Sequence, residues 1–422
     1  MVSFSVILNE TLAGALSVYL DYWWFFTFYF LWPVYQALWV KYVQEKWIRN
    51  LKWNILEVKV PAGLEIRPKN MEEFFTALAS NYDTAIDTLY DVYLSGVVDS
   101  WFSFEIVSFE GDVHFYVRTI DFHRDMIESL IYAQYPDAEI QEADEYVTTV
   151  PDDVPNAEYD IWGTDMKLAK DQAYPIRTYK EFEDPGSGEF VDPLANIVEG
   201  VNKLGEGEQI WIQILVRPTS DEWKKGARNV TYKLAGREVP KPKPGFWSSV
   251  ISESAGMVGE LFGKAPAAKE EKSNDLPSMM LHLTTGERAI LDAIDEKIKR
   301  PGFETDIRYI YAARRSIFNK GKANAAFFAY FSGQFGNDLA NRLIPDGKTK
   351  TSAYYFFPDL RKAFKKKAIL QKYKRRTLDI VTYVMTSDEL ATIFHFPTKE
   401  VRGSVVPKVE AKKGKPPATL PI

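Results

Sequence analysis

The stretch Gly207–Pro218, GEQIWIQILVRP, has the clearest β-strand pattern in the sequence. Its residues alternate between two sides of an extended chain, with Ile210, Ile212 and Ile214 on one side and Trp211 and Leu215 on the other. Both sides are apolar, a pattern typical of a strand that is covered on both faces. This strand therefore predicts a sheet with packed layers above and below it.

The predicted elements of residues 51–150 follow the order β-α-β-β-α-β. Aromatic-rich strands at Trp101–Phe109 and Val113–Ile120 flank the tight turn Glu110-Gly111-Asp112, and helices are predicted near Met71 and from His123 to Tyr135. This order is that of a ferredoxin-like, split βαβ arrangement, an antiparallel sheet with two helices on one face. The segment predicts a first ferredoxin-like module.

The strand and helix patterns of residues 155–395 predict a second, looser module of the same kind. It contains Gly207–Pro218 and a helix whose start is marked by Thr284 and Glu287, a threonine cap with an acidic first turn. Residues 237–277 have little pattern and predict a flexible, disordered insertion, and residues 361–376 predict a basic helix. Residues 396–422 predict an extended basic and proline-bearing tail. The predicted fold class is α+β, with two ferredoxin-like modules after an N-terminal anchor.

The anchor is predicted from residues 22–40, YWWFFTFYFLWPVYQALWV, which contain no charged side chain. We expect a transmembrane helix at about 20–42 within the anchor, residues 1–50, because its length approaches the about 20 residues that cross a bilayer. Lysines and arginines follow the run, so the positive-inside rule predicts a single-pass protein of the cytoplasmic membrane with its N-terminus outside and its bulk in the cytoplasm. A buried aromatic core helix is the alternative. The aromatic residues expected to anchor the helix in the lipid bilayer are Trp23, Trp24, Phe25, Phe26, Trp32 and Trp39.

Composition and motifs exclude several kinds of catalytic site. The chain has no cysteine, four histidines and a formal charge of −6, which excludes thiolate metal sites and disfavours general nucleic-acid binding. Gly263-Lys264-Ala265 and Gly347-Lys348-Thr349 lack the upstream glycine of a Walker A loop, which wraps phosphates with backbone N–H groups. We expect no ATP hydrolysis, no cofactor, no metal and no enzyme activity.

Two segments of opposite charge remain. Nine acidic residues lie between Asp137 and Asp160, and residues 361–376, RKAFKKKAILQKYKRR, carry nine cations with apolar residues at helical spacing. The acidic segment predicts a solvated face. The basic helix has three open interpretations: nucleic-acid phosphates, anionic lipid or an acidic protein partner. The candidate binding residues are Lys365, Lys366, Lys367, Arg375 and Arg376.

Several phrases resemble the N-terminal, membrane-anchored region of type IV secretion and conjugative DNA-transfer ATPases of candidate-phyla bacteria. They are SLIYAQYPDAEIQEADEY at 129–146, YDIWGTDMKLAKDQAYPIRTYKEFEDP at 159–185, Gly207–Pro218, and FHFP with AKKGKPPATLPI at 394–397 and 411–422. The motor of those proteins has a Walker A loop that this sequence lacks, so the resemblance implies the non-motor region only.

The resemblance implies a non-catalytic scaffold or adaptor that positions a separate P-loop motor ATPase among secretion-system subunits. A homo-oligomer is expected from edge strands and aromatic faces. The alternative is a membrane-tethered nucleic-acid-binding protein that binds DNA, weakly, through the basic segment 361–376.

Overall fold

The structure is a computed structural model, which describes residues 4–61, 67–80, 88–183, 190–201, 203–237, 283–333, 335–336, 341–379 and 382–397. The helices are α1 Phe4–Asn50, α2 Pro68–Ala79, α3 Arg124–Gln134, α4 Ala195–Val201, α5 Glu222–Leu234, α6 Thr285–Ile298, α7 Lys320–Phe327, α8 Pro358–Arg375 and α9 Ser387–Ile393. The strands are β1 Trp53–Lys59, β2 Phe102–Phe109, β3 Asp112–Ile120, β4 Glu139–Glu142, β5 Tyr159–Leu168, β6 Glu208–Pro218, β7 Gly302–Arg314, β8 Leu343–Pro345 and β9 Tyr383–Thr386.

The strands of the described residues form one antiparallel sheet in the order β4-β1-β3-β2-β6-β7-β5-β8, with β9 on β7. The predicted α+β class is confirmed. Strand β6, predicted from Gly207–Pro218, lies in the middle between β2 and β7. Ile210, Ile212 and Ile214 are buried on one face and Trp211 and Leu215 on the other, as the alternation predicts.

Helices cover the first face of the sheet. Phe74 and Phe75 of α2 pack with Phe104 of β2, and Phe327 of α7 packs with Trp162 and Tyr309. Elsewhere, helix α6 begins with a capping box, because Thr284 and Glu287 exchange hydrogen bonds between side chain and backbone, as predicted. The second face is covered by α8 and by the segment at 146–154.

Helix α1 corrects the membrane prediction. Among the described helices, none has a stretch that is both long and apolar enough to cross a bilayer. The predicted spanning helix at 20–42 is therefore wrong, and so is the single-pass membrane localisation with the N-terminus outside. The physical reason lies in the side chains, since the run 22–40 is rich in tryptophan and tyrosine, which carry polar N–H and O–H groups, and contains few branched aliphatic residues.

The residues of α1 that were predicted to anchor the chain are mostly exposed. Trp23, Trp24, Phe25, Trp32 and Trp39 are exposed on α1, while the side chain of Phe26 lies outside the described residues. Residues 238–277 of the predicted insertion and 398–422 of the predicted tail also lie outside them. Phe396, at the start of that tail, is buried against Tyr135 and Phe115.

Candidate interaction surface around the basic helix

The basic segment forms helix α8, Pro358–Arg375, which lies against the second face of the sheet. Proline at its first turn is compatible with helix initiation, since no N–H is needed there. The buried side chains Ile369, Leu370 and Tyr373 share one apolar cluster with Trp211 and Ile310 of the sheet. The helix is therefore docked by an apolar stripe, and its cations flank that stripe.

A row of buried polar side chains crosses the sheet beneath the end of α8. Glu105 of β2 is paired in register with Gln213 of β6, Gln213 with Arg308 of β7, and Arg308 with Asp165 of β5. All four side chains are buried. We call these residues the polar row. Buried polar groups need partners, because an unpaired one loses its hydrogen bonds to water without replacement.

The C-terminal turn of α8 supplies those partners. The Arg376 guanidinium donates to both Glu105 oxygens, over 2.6 and 3.1 Å, and Gln213 Nε2 donates to the Tyr373 carbonyl over 3.1 Å. Arg376 has a left-handed backbone, with φ of 50°, where the helix ends. At the other end of the polar row, Lys372 Nζ lies 2.5 Å from Asp165 Oδ2.

The pKa is shifted in opposite directions at two buried carboxyls, Glu105 in the polar row and Asp306 beside it. Burial raises the pKa of the Glu105 carboxyl, but the Arg376 charge, with hydrogen bonds that include one from Ser103, outweighs burial and holds that pKa below its ordinary value. Asp306 lies next to Arg308, and burial raises its pKa to about 6 against the opposing Arg308 charge. Glu105 is thus held ionised, whereas the pKa of Asp306 is raised to about 6.

The acidic and basic segments meet within one chain. Lys366 Nζ lies 2.5 Å from Asp160 Oδ1, and Lys374 Nζ lies 2.6 Å from Asp152 Oδ1. Asp160 is largely shielded from water, so the prediction of a solvated face is wrong at this residue. Asp152 stays exposed. Part of the acidic segment is therefore a docking partner of α8.

The five candidate binding residues of α8 are not equivalent in the structure. Lys365 Nζ donates to the carbonyls of Gly347 and Lys350 over 3.2 Å each, and Lys366 and Arg376 are held by carboxylates as described. Lys367 and Arg375 are exposed. The helix therefore does not present these five cations together as a single phosphate-binding face.

An exposed aromatic surface adjoins α8. Six large apolar side chains that are 72–85% exposed lie within eleven positions, which is an unusual concentration for a water-facing segment. We call these residues the aromatic surface: Tyr354, Tyr355, Phe356, Phe357, Leu360 and Phe364. Phe356 and Phe357 have φ of 41° and 49°, a left-handed backbone that is strained for bulky side chains.

A groove of about 480 Å³ lies beside the aromatic surface. Leu360, Phe364 and Ile369 give it an apolar wall. Four cationic residues and one hydroxyl also line it: Lys348, Arg361, Lys365, Lys372 and Thr349. Apolar walls with cations nearby fit a ligand segment that combines apolar side chains with carboxylates.

Sequence reasoning missed the polar row. A signal was present, because each of the strands around Glu105, Gln213 and Arg308 has a single charged or amide side chain within a largely apolar run: FSFEIVSF, IWIQILV and IRYIYAA. A lone polar residue in a strand that is buried on both faces requires a partner from the covering layer. Which element supplies that partner could not be read from the sequence.

Within the described residues, no group of three or more His, Asp or Glu side chains could hold a metal ion. The predictions of no metal, no cofactor and no enzyme activity stay predictions.

A family model described as "Domain of unknown function (DUF8128)" matches residues 56–408. A search of the curated proteins found no match. Since the family model matches most of the chain, the protein belongs to the DUF8128 family.

Proposed function

We propose that this DUF8128 protein is a non-catalytic adaptor, which binds a protein partner through the aromatic surface and the neighbouring groove. The observation that carries the proposal is the exposure of Phe364, Leu360 and the four aromatic residues before them. Exposed apolar patches of this kind mark interaction sites, because leaving them in water is unfavourable. The strained backbone at Phe356 and Phe357 adds support, since such strain concentrates at functional sites.

The partner class rests on the sequence resemblance. A motor ATPase of a type IV secretion or conjugative DNA-transfer machine would be the protein that the adaptor positions. The groove favours a partner segment with apolar side chains and carboxylates, because the exposed cations Lys348 and Arg361 line it.

We also infer that the sheet consists of two ferredoxin-like modules joined edge to edge. The strand order supports this inference: β4-β1-β3-β2 for the first module and, in reverse direction, β6-β7-β5-β8 for the second. In each module two strands joined by a helix-containing connection are separated by a third strand, as in a split βαβ unit. The β2–β6 pair is the junction.

The nucleic-acid alternative has less support in the geometry. Arg376 is buried against Glu105, and Lys366 is held by Asp160. Lys367 and Arg375 remain exposed, and two cations provide a small electrostatic attraction for phosphates. Binding of DNA by the basic segment stays an untested prediction.

The experiment is affinity purification of the tagged full chain from its native cells, followed by mass spectrometry of the proteins retained. We compare the unmodified chain with the double variant Leu360→Glu and Phe364→Glu, which places two carboxylates on the aromatic surface. The matched control is Phe122→Glu, since Phe122 is 87% exposed and belongs to neither the aromatic surface nor the groove.

We expect a P-loop motor ATPase to be retained by the unmodified chain and by Phe122→Glu, and to be lost with the double variant. Far-ultraviolet circular dichroism checks that all three proteins are folded. Absence of such an ATPase from the unmodified chain contradicts the partner class. Retention by the double variant contradicts the assigned surface.

A further inference from the structure

Helix α1 carries a line of six aromatic side chains that follow the three-and-four spacing of a coiled-coil seam. All of them are exposed, by 38–63%. We call these residues the aromatic seam: Phe25, Phe28, Trp32, Tyr35, Trp39 and Tyr42. Residues at this spacing lie along one side of a helix, so the seam is a continuous stripe.

The rings of the aromatic seam contact one another along the helix. Trp32 stacks on Tyr35 with ring centroids 5.7 Å apart, and Tyr35 stacks on Trp39 at 6.5 Å. Phe28 lies 5.4 Å from Trp32, and Trp39 lies 6.0 Å from Tyr42. These contacts order the side chains before any partner binds, which lowers the entropic cost of association.

The apolar stripe is wider than the aromatic seam alone. Trp24, Leu31 and Leu38 are spaced by seven residues next to the seam and are also exposed. A stripe of this width exceeds the narrow seam of a two-stranded coiled coil and suits a helix that packs against more than one neighbour.

Two contacts that hold α1 to the rest of the chain lie near the C-terminal end of the helix. Val43 is buried beside Gly96, and Trp39 Nε1 donates to the Tyr93 carbonyl over 2.7 Å. Phe28, Trp32 and Tyr35, nearer the N-terminus, are 44–63% exposed. Much of the surface of the aromatic seam is therefore accessible to another molecule.

The area and the charge of the stripe fit a second copy of this chain. Six aromatic side chains, each about half exposed, offer roughly 600 Å² per helix, near the about 800 Å² per partner of a standard interface. No side chain from Tyr22 to Val40 is charged, so identical helices can pack together without like-charge repulsion.

We propose that the α1 helices of two or more copies of the chain pack together along the aromatic seam and make the protein a homo-oligomer. This inference does not depend on the proposed adaptor function, which uses a different surface. An oligomer held by α1 would present several copies of the aromatic surface at once.

The test is the mass of the full chain in detergent-free buffer, measured by analytical ultracentrifugation. We compare the unmodified chain with the double variant Trp32→Glu and Tyr35→Glu, and with Phe122→Glu as a control outside α1, since Phe122 is 87% exposed. We expect a multiple of the single-chain mass for the unmodified chain and for Phe122→Glu, and the single-chain mass for the double variant. Circular dichroism checks that the double variant stays folded.

A single-chain mass for the unmodified protein overturns the proposal, and so does an oligomer that survives both substitutions in the aromatic seam. Co-sedimentation of a single-chain species with phosphatidylcholine–phosphatidylglycerol vesicles would instead make lipid the occupant of the stripe, and overturns the proposal as well. None of these outcomes bears on the retention of a motor ATPase.

Discussion

Asp306 shows how burial at one residue sets a pH dependence for the whole fold. Its carboxyl has a pKa raised to about 6 by burial, above the ordinary value of 3.8. Arg308 and Lys372 face it as cations, and Asp165 and Asp379 as carboxylates. The folded state therefore binds the proton more tightly than the unfolded state, and stability that is present below about pH 4 is lost as pH rises through about 6.

We predict that Asp306→Asn removes this loss, because an amide cannot ionise. A change of about two pKa units corresponds to up to about 3 kcal/mol. Urea unfolding measured from pH 4 to 7.5 should show the variant gaining stability relative to the unmodified chain as pH rises. Two stability curves that run parallel across this range would contradict the prediction.

The polar row shows which contacts could not be predicted from individual residues of the sequence. The alternation in Gly207–Pro218 predicted burial on both faces, and Ile210, Trp211 and Leu215 are buried accordingly. The partner of Glu105 is Arg376, 271 residues further along the chain. No local pattern encodes a contact at that separation, so the sequence indicated the cations of α8 but not their partners.

Some cations of helix α8 hold the helix against the sheet. The pair of Lys366 and Asp160 connects the helix to the start of β5, and both side chains are largely shielded from water. A pair in this setting contributes more than an exposed one, which is typically worth less than about 1 kcal/mol.

A charge exchange tests that pair. We predict that Lys366→Glu and Asp160→Lys each lower the free energy of unfolding, because each single variant brings like charges together, and that the double variant recovers part of the loss. The coupling energy of such contacting residues is about 0.5–3 kcal/mol. Effects that simply add in the double variant would show that the pair does not hold the helix.

Elements were predicted well where a local pattern determines them. The capping pair of Thr284 and Glu287 and the strand Gly207–Pro218 are both observed close to the predicted positions. The prediction of a bilayer span for the aromatic run 22–40 is wrong, although the run is uncharged and close to the length of a span. Its tyrosines and tryptophans are amphipathic, so absence of charge does not by itself make the run apolar enough.

At the scale of the whole molecule, α8 holds the two halves of the sheet together. Strands β2 and β6 are paired from Phe102 with Val216 to Phe109 with Gln209, which joins the halves through backbone hydrogen bonds. The end of α8 reinforces this junction, because Tyr373 and Lys372 bind Gln213 and Asp165 in the second half. The neighbouring Arg376 binds Glu105 in the first half. The Trp101 indole also donates to the Arg376 carbonyl over 2.7 Å.

The most direct test of this internal role compares two neighbouring arginines by urea unfolding. Arg376 is buried on Glu105, whereas Arg375 is exposed. We predict that Arg376→Ala lowers the free energy of unfolding by about 3–5 kcal/mol, because it leaves Glu105 without its charge partner. Arg375→Ala should stay within about 0.5 kcal/mol of the unmodified chain. Equal, small effects of the two substitutions would contradict the claim that the basic segment 361–376 stabilises the fold through a buried ion pair.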